Sequence, residues 1–107
     1  MKKQVLLLIM MVLSMTAKAY DVVEIDGIYY WLNSVAQDAG VGYSPNIEDR
    51  AKYKGEVIIP ATVAYKGVEY RISYIAPYAF NQCSELTSVI IPNSVKSIGE
   101  HAFADCI

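Results

Sequence analysis

What the chain is short of narrows its chemistry before anything else does. One histidine (His101), two cysteines (Cys83 and Cys106) and one tryptophan (Trp31) are spread over 107 residues. A general base needs a nucleophile or an orienting partner beside it, and no motif supplies one for His101, so an exposed surface residue is its expected role. Long hydrophobic runs are missing too. The longest, around Val5 to Leu13, falls well short of the roughly 20 residues that a spanning helix needs. Positive charge is scarce outside the first nineteen residues: once Lys2, Lys3 and Lys18 are set aside, six basic side chains face eleven acidic ones, a net charge near −5. That balance argues against nucleic acid or an anionic membrane surface as partner, because both call for a basic patch.

What is present at the N-terminus has the three parts of an export signal. Lys2 and Lys3 precede the apolar run, and Ala17-Lys18-Ala19 supplies a small-x-small end. Residues 1–19 are therefore expected to be a signal peptide cleaved after Ala19, with no membrane insertion afterwards and with a secreted or cell-surface destination. The first cysteine is Cys83, so a lipid-modified cysteine directly after the leader is not expected. The remainder, Tyr20 to Ile107, is 88 residues, enough for one small domain.

Residues 20–54 read as a β-rich N-terminal segment. Val22, Glu24 and Ile25 lead into Asp26-Gly27, and Ile28-Tyr29-Tyr30-Trp31-Leu32 follow, a strong hairpin signal. In the next stretch Ala39, Val41 and Tyr43 alternate as in a half-buried strand, and Ser44-Pro45 can open a single helical turn running toward Arg50. Glu56-Val57-Ile58-Ile59 is a short strand stopped by Pro60, and Thr62 to Tyr74 form a second hairpin about Lys66-Gly67.

From residue 55 onward the chain repeats itself. Val57-Ile58-Ile59-Pro60-Ala61-Thr62-Val63 lies over Val89-Ile90-Ile91-Pro92-Asn93-Ser94-Val95 at an offset of 32, and Ile75 to Cys83 lies over Ile98 to Cys106 at an offset of 23. The difference is an insertion carried by the Lys66-Gly67 hairpin, so the unit is 23 residues with one decorated copy. One short apolar strand in each period of this length is the signature of a leucine-rich-repeat solenoid. The expected fold is mainly β: an N-terminal β-hairpin module leading into a solenoid with a short strand and a return arc per repeat, over residues 55–107. Strand periodicity sends Val89 and Ile91 toward the core and Ile90 outward. Val95, Ile98, Ala102, Phe103 and Cys106 are the expected buried positions of the arc, with Phe80 and Phe103 filling its interior and Gly99 permitting the bend.

Leu86-x-x-Val89-x-Ile91-Pro92-x-Ser94-Val95-x-x-Ile98-Gly99-x-x-Ala102-Phe103-x-x-Cys106 resembles the repeat of the BspA-like leucine-rich-repeat proteins, a group of bacterial surface proteins also found in some parasitic protists. The Asp26-Gly27 hairpin, Tyr53-x-Gly55-x-Val57-x-Ile59-Pro60 and Tyr65-x-Gly67-x-x-Tyr70 are similar to the module that often precedes such repeats in Bacteroides-type proteins. The resemblance implies cell-surface display and, in some members, adhesion to host matrix proteins or other bacteria. The sequence stops at Ile107, one residue into what would be a further repeat. A solenoid that ended there would leave an open apolar edge able to self-associate, and a truncated structural fragment without independent function is the alternative that this raises.

No catalytic residue, metal site or cofactor is expected. His101, Asp105 and Cys106 match no zinc spacing, and Cys106 belongs to the apolar pattern. Ser94 matches Thr62 in the first copy, so a turn or backbone hydrogen bond explains it better than a nucleophilic role. Cys83 and Cys106, one repeat apart, fit two buried thiols stacked on successive coils or, less well, a disulfide. Nine tyrosines and Trp31 could form a sugar-stacking platform, but Tyr29, Tyr30, Tyr65, Tyr70 and Tyr74 fall in strands, where packing accounts for them. The sequence thus points to an exported, non-enzymatic binding or adhesion module for an extracellular protein or glycan. Its binding residues are expected on the outward strand face: Glu56 and Ile58 on the first repeat, Thr87, Ser88 and Ile90 on the second. A secreted carbohydrate-binding or hydrolytic domain is the rival class. It would need convergent carboxylates, whereas the acidic residues here are scattered through turns and variable positions.

Overall fold

The computed structural model describes residues 20–106. The export signal expected over residues 1–19 lies outside the described residues, as does Ile107. Eight strands and one 3-10 turn make up the regular structure, with no α-helix among the described residues.

Strands β1 (Asp21–Ile25) and β2 (Ile28–Asn33) form the first hairpin, with Ile25 opposite Ile28. Asp26 and Gly27 both take positive φ (52° and 85°), as a two-residue turn must if it is to match the twist of its strands. Along β2, alternate residues Ile28, Tyr30 and Leu32 are buried. Strand β3 (Asp38–Val41) pairs antiparallel with β2. Ala39 and Val41 are fully buried, as their alternation predicts, and Gly40 between them is buried as well. Gly40 is covered by the Tyr74 ring, which occupies the space where a Cβ would stand, and opposite the step from Ala39 to Gly40 the neighbouring parallel strand carries one extra residue, Ser73. Tyr43 lies beyond the strand. The helical turn is a 3-10 turn at Ile47–Asp49, capped by the Asn46 side chain, which accepts from the Glu48 N–H.

Strands β4 (Gly55–Ile58), β5 (Thr62–Tyr65), β6 (Val68–Ile75), β7 (Leu86–Ile90) and β8 (Ser97–Ile98) follow. β5 and β6 are the Lys66-Gly67 hairpin, again with both turn residues at positive φ. The sequence offsets reappear as strand registers. β4 runs parallel to β7 with Val57 beside Val89 and Ile58 beside Ile90, an offset of 32. β6 runs parallel to β8 with Tyr74 beside Ser97 and Ile75 beside Ile98, an offset of 23. Between the strands the arcs stack as well. Tyr78, Phe80 and Gln82 donate their N–H groups to the carbonyls of Glu100, Ala102 and Ala104 at 3.1, 2.7 and 2.8 Å.

The N-terminal segment joins this stack directly, because β3 pairs in parallel with β6 on the edge opposite β5 and β8, giving one sheet in the order β1-β2-β3-β6-β5. Tyr53 fastens the same junction. Its hydroxyl accepts from the Tyr29 N–H at 2.9 Å and donates to the Gly42 carbonyl at 2.8 Å, while its ring lies 4.6 Å from that of Phe80. Tyr30, Leu32, Val41, Ile72, Ile75, Phe80 and Cys83 are the largest fully buried side chains, so the core draws on both parts of the chain.

The second arc differs from the sequence expectation. Phe80 is 0% exposed, but Phe103 is 36% exposed, stacked parallel on Phe80 at 5.1 Å with its other face open. Ile91 and Ile98 are also exposed, and Val95 and Cys106 are only half-buried. The cause is positional, since no described coil lies on the far side of these residues. Gly99 does not take positive φ; its requirement is close approach, because a Cβ there would collide with the backbone N and Cα of Pro77. Ser94 Oγ is buried and makes no hydrogen bond among the described residues, contrary to the turn bond expected of it.

Candidate functional site

The parallel pairing of β4 and β7 sets four of the five expected binding residues side by side. Glu56 stands beside Ser88, whose hydroxyl lies 3.4 Å from the Glu56 carboxylate, and Ile58 stands beside Ile90. The two isoleucines are 59% and 49% exposed. Strand alternation turns Val57 into the core and its neighbours outward, and the same alternation leaves Ile90 outside while Val89 packs against the core. The result is an apolar pair beside a polar pair. Thr87 is not part of it. The register shifts between Gly55 and Glu56, so Thr87 is the extra residue of a bulge and lines an adjoining shallow depression with Leu86, Ser88, Val89, Phe103 and Cys106.

The other chemically interesting residues fall where packing puts them. His101 is exposed, 3.3 Å from the Glu100 carboxylate, and its ring stacks on Tyr78. Both cysteines are free thiols. Cys83 is buried, which pushes its thiol pKa up, and the Cys106 thiol donates to the Phe80 carbonyl on the preceding coil at 2.7 Å. Among the described residues no three His, Cys, Asp or Glu side chains gather as a metal set would, and no helix is long and apolar enough to cross a membrane.

Tyr30 and Tyr70 are buried, and Tyr29, Tyr65 and Tyr74 are half-buried against the core or the sheet. Burial pushes the hydroxyl pKa values of Tyr30 and Tyr74 up to about 12, with Asp26 adding to the first and Tyr20 and Asp38 to the second. Tyr53 is pushed higher still by burial. What sequence reasoning missed lies between the 3-10 turn and the first arc: a cleft of about 430 Å³ bordered by Tyr43, Arg50, Tyr78, Asn81 and Gln82. These residues come from two segments without shared periodicity, and only the fold brings them together.

Residues 67–107 match the model of the family described as "BspA type Leucine rich repeat region (6 copies)". Among solved structures the chain is similar to a leucine-rich repeat protein from Bacteroides capillosus ATCC 29799, at 29% identity and a TM-score of 0.62 over 79% of this chain and 59% of that one. It is also similar to a leucine-rich repeat protein from Bacteroides ovatus ATCC 8483, at 26% identity and a TM-score of 0.52, covering 78% of this chain and 27% of that one. A leucine rich cell surface protein from Faecalibacterium prausnitzii A2-165 shares 19% identity and a TM-score of 0.52 over 84% and 29% of the two chains, a likeness that shows the fold alone. The chain thus spans less than two thirds of each of these relatives. No curated protein matches it.

Proposed function

We propose that this chain, whose residues 67–107 are leucine-rich repeats of BspA type, is an exported, non-enzymatic binding or adhesion module that engages an extracellular protein or glycan through the outer face of β4 and β7. The observation that carries the reading is the in-register pair Ile58 and Ile90, two large apolar side chains left in solvent side by side. Isolated exposed apolar residues are ordinary, but paired ones beside polar neighbours make an anchor of the kind that binding surfaces use. Glu56 and Ser88 beside them supply polar contacts that fix orientation, and Thr87 extends the surface toward the depression near Phe103.

The test is adhesion of particles coated with the protein to a panel of immobilised extracellular-matrix proteins. Ile58→Asp with Ile90→Asp is expected to abolish retention while leaving the melting temperature nearly unchanged, since both side chains are exposed. Retention equal to wild type would overturn the assignment. Export is checked separately by N-terminal sequencing of surface or secreted material, which is expected to begin at Tyr20.

A further inference from the structure

The cleft beside the 3-10 turn has a composition unlike the rest of the molecule. Among the described side chains on its walls, Arg50 is the one that carries charge, in a chain where acidic side chains outnumber basic ones. The arginine is held in place before any ligand arrives. Its Nε donates to the Ser44 carbonyl at 3.0 Å, and its guanidinium carbon sits 4.4 Å from the centre of the Tyr43 ring. A guanidinium fixed in this way loses little freedom when its remaining donors meet a carboxylate.

The opposite wall presents a ring. Tyr78 is 48% exposed at φ 63°, and one coil further on His101, at φ 57°, stacks against it at 5.3 Å. The arc demands a left-handed residue at this place, a conformation that glycine or asparagine takes with least strain. A tyrosine and a histidine stand there instead, with their rings in solvent rather than in the core. Asn81 and Gln82 border the same cleft, with side-chain amides that both donate and accept hydrogen bonds.

The geometry points to a binding site for an oligosaccharide that carries a carboxylate, separate from the strand face at Ile58 and Ile90. Arg50 takes the carboxylate, the Tyr78 ring packs against the apolar face of a pyranose, and Asn81 and Gln82 pair with its hydroxyls. His101 extends the ring surface along the stack, so that more than one sugar unit can lie across it.

The test is calorimetric titration of the full chain with an oligogalacturonate and with sialyllactose, each beside its neutral counterpart, an oligogalactose and lactose. At least one acidic sugar is expected to bind, with its neutral partner weaker by roughly tenfold or more, the loss of a charge-assisted hydrogen-bonded pair. Binding of one acid alone identifies whether a uronate or a sialate is the source, and binding of both supports the shared carboxylate chemistry. Arg50→Gln is expected to weaken binding by a similar factor. Tyr78→Asn is expected to abolish it while melting no lower than wild type, because asparagine suits the left-handed backbone; this separates loss of the ring from loss of the fold. Ile58→Asp is expected to leave sugar binding intact. Equal binding of acidic and neutral sugars, binding of neither acid, or an Arg50→Gln protein that binds like wild type would overturn the proposal, as would loss of sugar binding in Ile58→Asp.

Discussion

Phe80 and Phe103 hold the same place in successive repeats, yet their loss carries different consequences. Phe80 is enclosed between the Tyr53 and Phe103 rings with no exposed surface, so Phe80→Ala is expected to destabilise the domain by about 3 to 5 kcal/mol. Among the described residues Phe103 packs on one side only, and Phe103→Ala is expected to cost about 1 to 2 kcal/mol, little more than an aromatic pair is worth. Thr87→Ala, at an exposed bulge, is expected to stay within about 0.5 kcal/mol of wild type. Ser94→Ala is expected to be neutral or mildly stabilising, because the buried hydroxyl has no partner among the described residues. Thermal melts of the four variants check the order, and equal losses at Phe80 and Phe103 would contradict it. The sequence marks the two phenylalanines as equivalent because they share a repeat position. It is silent on whether a neighbouring coil covers each one, and that neighbour decides the energy.

At the scale of elements, the legible parts are those where local chemistry and periodicity agree. Asp26-Gly27 and Lys66-Gly67 specify their turns by themselves, and the offsets of 32 and 23 between like residues become the registers of β4 with β7 and β6 with β8. The outer-face group of Glu56, Ile58, Ser88 and Ile90 was legible for the same reason. The parallel pairing of β3 with β6 and the Arg50 cleft were not, since they depend on residues remote in sequence, such as the Tyr74 ring over Gly40. Glycines show the same division. Gly27 has positive φ but open space around it, whereas Gly99 lacks space against Pro77. Gly27→Ala is therefore expected to cost about 1 kcal/mol through its backbone. Gly99→Ala is expected to cost about 3 kcal/mol by prising the arcs apart. Urea unfolding of both variants tests this, and a reversed order would mean that the stacking at Pro77 is looser than described.

Over the whole molecule, the tyrosines tie stability to alkaline pH. Burial raises Tyr30 and Tyr74 from 10 to about 12 and Tyr53 further. A group whose pKa is higher in the folded than in the unfolded chain favours folding fully below its ordinary value, and that contribution is lost as pH rises through the folded value. Stability is therefore expected to hold up to about pH 10 and to fall between about pH 10 and 12, with tyrosinate absorbance and loss of β-sheet circular dichroism rising together. Ionisation of these tyrosines near pH 10 with the fold intact would place them outside the core.

The parallel pairing of β3 with β6 and of β6 with β8 sets Val41, Ile75 and Ile98 in one file across the sheet. The first member of that file comes from the N-terminal segment rather than from a repeat. A pile of identical tiles has no intrinsic starting point and can slip by a whole unit, but one laid against a fixed kerb cannot. Here β3 is the kerb, with its own partner strand β2 and its own glycine, and every later coil inherits its alignment from it. Because a chain is synthesised from its N-terminus, the kerb is made before the tiles, and an error in β3 would misalign everything laid after it, whereas an error in the second arc would leave the earlier rows standing.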